Sequence, residues 1–194
     1  MPGITAIVLA AGASKRMGQQ KLVMPFRGST ILNATIGAAT ASGADQVVVV
    51  TGHDAAIVEA SILNDSAIVI RNHYARRGNM SSLMSGIEAS PDAEAFVLVA
   101  GDMPTIRATD IRRMVELWKA DHPYAAVTEY TDRISHPFLL SWAAVSDARP
   151  HQGEKVLWKL WIESGDERVV RVQAGIPAPV DVNTEEDLGR LGSA

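Results

Sequence analysis

Five short segments carry unbroken runs of apolar residues: Ile4–Ala10, Gln46–Thr51, 67–71, Ala95–Ala100 and 124–128. They do not alternate with polar positions, they are rich in Val, Ile and Ala, and Gly, Asp or Thr bounds them. Strands covered on both faces read this way, because neither face meets water. Between them the apolar spacing turns helical, over 30–42, 55–63, 81–90 and 109–120. Asp110 near the start of the last segment and Lys119 near its end suit the two poles of a helix. Strand and helix alternate four times along this stretch. That order predicts an α/β chain with a doubly wound, mostly parallel sheet, right-handed crossovers and three layers.

The order loosens after Tyr130. A loop and a strand are expected over 131–141, around His136-Pro137. A helix is expected over 153–164, a last strand over 167–173, a turn at Pro177 and Pro179, and a short C-terminal helix capped by Asn183 or Thr184 with Glu186. No repeat, linker or low-complexity tract interrupts the 194 residues, so one domain is expected, with a nucleotide-binding half to about residue 105 and an acceptor-binding half over 106–194.

Composition narrows the function. Hydrophobic residues make up 47% and charged residues 21%, enough for a core in a water-soluble chain. The net charge of -4 argues against non-specific nucleic-acid binding, which needs clustered positive charge. Cysteine is absent, which excludes disulfides, thiolate zinc sites and a cysteine nucleophile. No signal peptide or membrane span is expected, and a cytoplasmic location is.

The candidate chemistry starts at Leu9-Ala-Ala-Gly-Ala-Ser-Lys-Arg-Met-Gly-Gln-Gln-Lys21, directly after the first strand. In a doubly wound sheet this lies at the carboxyl ends of the strands, where ligands bind. Ala10, Ala11 and Gly12 let a ligand approach backbone N–H groups, and Lys15, Arg16 and Lys21 add three cations within seven residues. Small residues plus cations make a triphosphate cradle. Two better-known phosphate loops do not fit. Five residues, not four, separate Gly12 from Gly18, and Gln19 follows instead of Lys; the dinucleotide Gly-x-Gly-x-x-Gly pattern is also missing.

The loop resembles the signature of the MobA-like NTP transferases, which include the molybdenum cofactor cytidylyl- and guanylyltransferases; the methylerythritol-phosphate cytidylyltransferases carry a similar loop. The resemblance runs from Ile4 to Leu191. It implies that Leu9, Ala10, Ala11, Gly12, Ser14, Arg16, Lys21, Ser81, Ser82 and Gly101 hold the nucleotide, and that Arg16, Lys21 and Asp102 are catalytic. Gly101-Asp102-Met-Pro ends a buried strand and is similar to the family's metal motif. A strand-end Asp suits Mg²⁺, which takes one or two carboxylates plus phosphates and waters. Val180-Asp-Val-Asn-Thr resembles the family's C-terminal motif; Asp181 and Asn183 alternate along one extended stretch, and either is open as the second metal ligand, or as a helix cap.

Ser135-His136-Pro137 resembles a Gly-His-Pro element of the molybdenum-cofactor branch and puts His136 near the acceptor; Ser stands where the family has Gly. Gln152-Gly153-Glu154 is similar to that branch's downstream glycine motif. Arg76 and Arg77 are open between solvated charges and acceptor contacts. His53, His73, His122 and His151 read as surface or structural groups, and Trp118, Trp158 and Trp161 as core. Ala11, where guanylyltransferases tend to carry a second Gly, points to the cytidylyl branch, because a methyl there narrows the room for a purine. The expected reaction is Mg²⁺-dependent transfer of CMP from CTP to a phosphorylated acceptor, molybdopterin or the molybdenum cofactor first, with delivery to a molybdoenzyme as a further expectation. A sugar or isoprenoid phosphate acceptor, and a non-catalytic cofactor-delivery protein, are the alternatives.

Overall fold

The computed structural model describes residues 3–14, 16–151, 153 and 155–192. The expected strands form one seven-stranded sheet. Its first strand, β1 (Ile4–Ala10), lies between β4 (Gln46–Thr51) and β6 (Ala95–Ala100), parallel to both, and β5 (Ile68–Arg71) extends the β4 side. Strands β2 (Pro25–Phe26) and β3 (Ser29–Thr30) form a separate small hairpin that the apolar pattern does not predict.

Beyond β6 the order is β8 (Ile134–Ser141), β7 (Ala125–Glu129) and β9 (Val169–Gln173). Strand β8 runs antiparallel to both β6 and β7, while β9 is parallel to β7. The sheet is therefore mostly parallel, with a single reversed strand inside it. The sequence predicts a strand over this segment; its reversal beside β7 follows from the short β7–β8 connection, which leaves no room for a crossover, and its other edge pairs with β6.

Alternate residues of each central strand enter opposite cores. Ala6 and Val8 of β1, Val47 and Val49 of β4, and Val97 and Val99 of β6 join a core under α1 (Ile31–Thr40) and α4 (Ala108–Asp121). Ile7, Val48, Val50, Phe96 and Leu98 join the other, under α3 (Asn79–Glu88) and α5 (Trp142–Ala148). Helix α2 (Ala55–Ala60) adds Val58 to the first core. This is the three-layer arrangement expected. Thr30 caps α1 by accepting from Asn33 N at 3.2 Å. Asp110 does not sit free in the first turn of α4: it is 1% exposed and paired with Arg107 and Arg113.

The expected helix over 153–164 is broken into α6 (Val156–Trp158) and a wider turn over Lys159–Glu163, where Ser164 N reaches Lys159 O. Helix α7 (Glu185–Gly192) closes the described chain; Thr184 caps it as expected, accepting from Asp187 N at 3.2 Å, and Asp187 rather than Glu186 returns the bond by accepting from Asn183 N and Thr184 N. Among the described residues no helix is long and apolar enough to cross a membrane.

Candidate active site

The chain leaves β1 toward β4 and β5, then returns to β6 on the other side of β1. In such a sheet the loops after the two strands at the reversal diverge and open a crevice at the carboxyl edge. Leu9 is in register with Ala100, so the first loop and Asp102 leave the sheet side by side. Gly101 is needed at that exit. Its N–H donates to Leu9 O at 2.9 Å, and a Cβ there would lie 2.7 Å from the same oxygen. Gly101 and the fully buried Ala10 build the wall and do not line the crevice.

The crevice is a cleft of about 770 Å³ walled by Leu9, Ala11, Gly12, Ser14, Arg16, Lys21, His53, Arg76, Ser82, Asp102, His136 and Asn183, among others. At its floor Lys21 Nζ donates to Asp102 Oδ2 at 2.6 Å and to Asn183 Oδ1 at 3.0 Å, and Arg16 donates to the same Asn183 oxygen at 2.8 Å. Residues 167 positions apart thus meet. Val182 N also donates to Asp102 O, which fixes the C-terminal segment against the loop after β6. His136 and Asn183 come from the second half of the chain, so both halves build this cleft.

A second chamber of about 590 Å³ adjoins it and shares Leu9, Asn79, Ala100, Asp102, His136 and Asn183. Its other walls are mainly apolar, including Met80, Leu83, Leu98, Ile134, Phe138, Leu157 and Trp158, with Arg133 and Lys155 as cations. Trp158 is half-buried and lines this chamber, unlike Trp118 and Trp161, which are buried as expected. His136 stacks on Phe138 with ring centroids 4.5 Å apart, and its Nδ1 lies 3.2 Å from Leu98 O. A ring nitrogen facing a carbonyl carries the proton, which leaves Nε2 as an acceptor. Burial lowers the His136 pKa below the usual histidine value, against the opposing effects of the Leu98 carbonyl and the Asp102 charge, so the ring is neutral near pH 7.

Asp181 lies in the wall of the second chamber, 4.0 Å from Arg133. Its Oδ1 is buried and has no hydrogen-bond partner. Burial raises its pKa, and the neighbouring Asp102 charge adds to the rise. Two carboxylates facing one space, one with an orphaned oxygen, fit a hard divalent cation. Among the described residues no group of three or more His, Asp or Glu is clustered for a metal, so phosphate and water oxygens would complete the shell.

Ser82 faces the cleft, but Ser81 lines a separate groove with Tyr74, Arg77 and Arg149. Both hydroxyls accept from Asn72 Nδ2, at 2.9 Å and 3.0 Å. Arg76 faces the cleft and Arg77 stacks over Tyr74. Lys15, Gln152 and Glu154 lie outside the described residues; Gly153 lies against Gly78, where an added Cβ would sit 2.9 Å from the Gly153 carbonyl.

Sequence reasoning missed Gln20, Asp54, Arg133 and Lys155, and it placed His53 only as a structural or surface group. His53 N and Nδ1 both approach Ala11 O, at 3.3 Å and 2.9 Å. Gln20 and Asp54 support the first loop, and the second of two glutamines between Gly18 and Lys21 carries no spacing signal.

A cation-lined crevice at the switch point of this sheet, with a strand-end Asp, belongs to the nucleotidyltransferase class of enzyme. The chain belongs to the family described as the MobA-like NTP transferase domain, whose model matches residues 6–170. It is 30% identical over 142 residues to the molybdenum cofactor cytidylyltransferase of Escherichia coli K12, covering 73% of this chain and 71% of that one. It is 29% identical over 116 residues to the nicotine blue oxidoreductase of Paenarthrobacter nicotinovorans, spanning 59% of this chain and 57% of that one. A crystal structure of Rv0371c from Mycobacterium tuberculosis H37Rv superposes with a TM-score of 0.90 at 32% identity, covering 100% of this chain and 98% of that one. A manganese complex of Rv0371c superposes at 0.84 with 30% identity, covering 99% of each chain.

Proposed function

We propose that this enzyme moves a nucleoside monophosphate, CMP from CTP first, onto the phosphate of a small acceptor, with molybdopterin or the molybdenum cofactor as the leading acceptor and Mg²⁺ as the metal. The observation that carries the reading is the meeting of two chambers at Asp102, His136 and Asn183, with Lys21 and Arg16 on the cleft side. The cleft is the nucleotide side and the apolar chamber the acceptor side. Asp102 and Asp181, the two carboxylates, are assigned as metal ligands, since a hard divalent cation prefers charged oxygens; the Asn183 amide, which accepts from Lys21 and Arg16, is assigned to orienting those cations. When bound, the metal offsets charge on the phosphate oxygens.

The acceptor phosphate oxygen attacks the α-phosphorus in line, a P–O bond forms, and the bond to the β-phosphate oxygen breaks. Both electrons leave with pyrophosphate, and no proton need move because the acceptor phosphate is already anionic. Lys21 and Arg16 stabilise the charge that grows on the leaving oxygens. His136, neutral with Nε2 accepting, binds a donor on the acceptor rather than acting as a cation. Ala11 lines the cleft, and a methyl there leaves less room for a purine than a glycine would, which supports CTP. The enzyme acts in the cytoplasm and hands its product to a molybdoenzyme.

Pyrophosphate release from each of the four NTPs with Mg²⁺, with and without the pterin acceptor, tests the reading. CTP-dependent release that requires the pterin is expected. Release with a sugar or isoprenoid phosphate instead would move the acceptor assignment, and nucleotide binding without release under any acceptor would favour a delivery protein.

A further inference from the structure

The first loop has to hold its backbone N–H groups and its cations in one arrangement before a triphosphate arrives, since ordering them on binding would subtract from affinity. Its first residues, from Ala10 to Ser14, are small and bring little side-chain packing of their own. One buried side chain makes several of the contacts that hold it. Gln20 is 7% exposed. Its Oε1 accepts from Ser14 Oγ at 2.8 Å and from Leu22 N at 3.4 Å. Its Nε2 donates to Gly12 O at 3.3 Å and to Asp54 Oδ2 at 3.3 Å. Ser14 Oγ in turn accepts from Lys21 N at 3.1 Å.

The amide therefore spans the loop from Gly12 to Leu22 and ties it to the turn after β4. Asp54 is in the left-handed region, with φ of 52°, and makes no cap bond to its own helix. Next to it His53 holds Ala11 O. A carbonyl, a carboxylate, a hydroxyl and an N–H are all met by one group, and only an amide offers donors and acceptors together in that geometry.

We propose that Gln20, supported by Asp54, is a positioning residue for triphosphate binding: it sets where Gly12, Ser14 and the Lys21 backbone stand, without touching the ligand itself. This rests on the cleft being the nucleotide side. A carboxylate at position 20 would replace the two N–H donors with oxygens facing Asp54 and Gly12 O, two acceptors. The groups facing it are the Asp54 carboxylate, the Ser14 hydroxyl, the Gly12 carbonyl and the Leu22 N–H, with the Lys21 ammonium held elsewhere by Asp102. Protonation would give it back one of the two donors and remove its charge beside Asp54, so it would support the loop better protonated than ionised.

The test is calorimetric titration of the full chain with inorganic tripolyphosphate and, separately, with CTP, both with Mg²⁺, from about pH 5.5 to about pH 8, a range above the ordinary carboxyl pKa. Gln20→Glu is expected to weaken tripolyphosphate binding roughly tenfold or more at the alkaline end, as loss of an outer supporting partner does at comparable sites, and to recover toward acid pH while the parent chain does not. Adding Asp54→Asn, which supplies a donor to the new carboxylate, is expected to restore binding at the alkaline end. Thermal midpoints recorded alongside show that each variant is folded at the titration temperature, and Gln20→Ala, which carries no new charge, should lose affinity at every pH. Equal affinity of the parent chain and Gln20→Glu for tripolyphosphate across the range would overturn the proposal, as would failure of Asp54→Asn to restore it. A parent chain that binds tripolyphosphate and not CTP would overturn the nucleotide reading while leaving the Gln20 result to stand on its own. Binding of neither probe would overturn both.

Discussion

The two chambers use different materials. The cleft is built from backbone and charge: a loop of small residues, two engaged cations, an Asp at a strand end and an Asn brought from the C-terminal segment. The adjoining chamber is built from apolar and aromatic side chains on α3, β8 and α6, with cations among them. Backbone N–H groups and cations hold any triphosphate of the right shape, because every nucleotide presents the same phosphates. Side chains hold one molecule and reject its isosteres, so under the proposed function acceptor choice would rest with the second chamber. The two also share walls, since Leu9 and Ala100 of the parallel strands and His136 of the reversed strand β8 line both.

The largest effect that bears on this division is expected at the floor of the cleft. Lys21→Ala should lower kcat/KM by about 10²- to 10³-fold, the usual loss when a group that stabilises leaving charge is removed. Its thermal midpoint should move far less. Turnover within a few-fold of the parent would remove Lys21 from the chemistry.

Trp158→Ala tests the other side. It should raise the acceptor KM about tenfold, in line with the ~1–3 kcal/mol carried by an apolar contact, and leave the CTP KM unchanged. A matched rise in both would mean that the two chambers do not divide the substrates.

Gly78→Ala addresses the seam between them. Gly78 has φ of 96°, and an added Cβ would meet the Gly153 carbonyl at 2.9 Å. Strain of about 1–3 kcal/mol is expected by chemical denaturation, with a higher acceptor KM because the segment leading to Lys155 and α6 must move. An unchanged acceptor KM would show that this contact is only structural.

The smallest effect is in pH dependence. His136 has a folded pKa below its unfolded value of 6.5. The unfolded chain therefore takes up a proton first as pH falls, so this residue contributes stability above about pH 6.5 that is lost progressively below it. Denaturation midpoints from about pH 7.5 down to 5.5 should fall less steeply in His136→Gln than in the parent. Parallel curves would place the ring in water.

Much of this was legible in the sequence. Unbroken apolar runs name the buried strands, and β1, β4 and β6 fall where those runs do, because a strand covered on both faces has no polar position to spare. The exposed edge strand β5 and the helix ends were legible only to within a few residues, since burial falls off there. The resemblance carried by the first loop pointed to Arg16, Lys21 and Asp102, and the structure brings these together with Asn183. Helix α5 was not read, because it follows β8 directly and its cap, Ser141, is also the strand's last residue. Ser81 and Ser82 are adjacent in sequence yet face different cavities, since neighbours on a helix point about 100° apart.

What the sequence determined by itself was the periodicity: which segments are strands, which are helices, and that a cation-bearing loop of small residues follows the first strand. Those are local properties, set by which residues each position can tolerate against water or backbone. Tertiary structure decided everything that depends on separation in space. It set strand order with β8 reversed, turned Asn183 to Lys21 and Arg16, left Asp181 with an unpartnered oxygen beside Asp102, and made Gln20 the support of the loop. Such contacts join positions far apart in the chain through geometry the sheet supplies, and no spacing along one strand or helix encodes them.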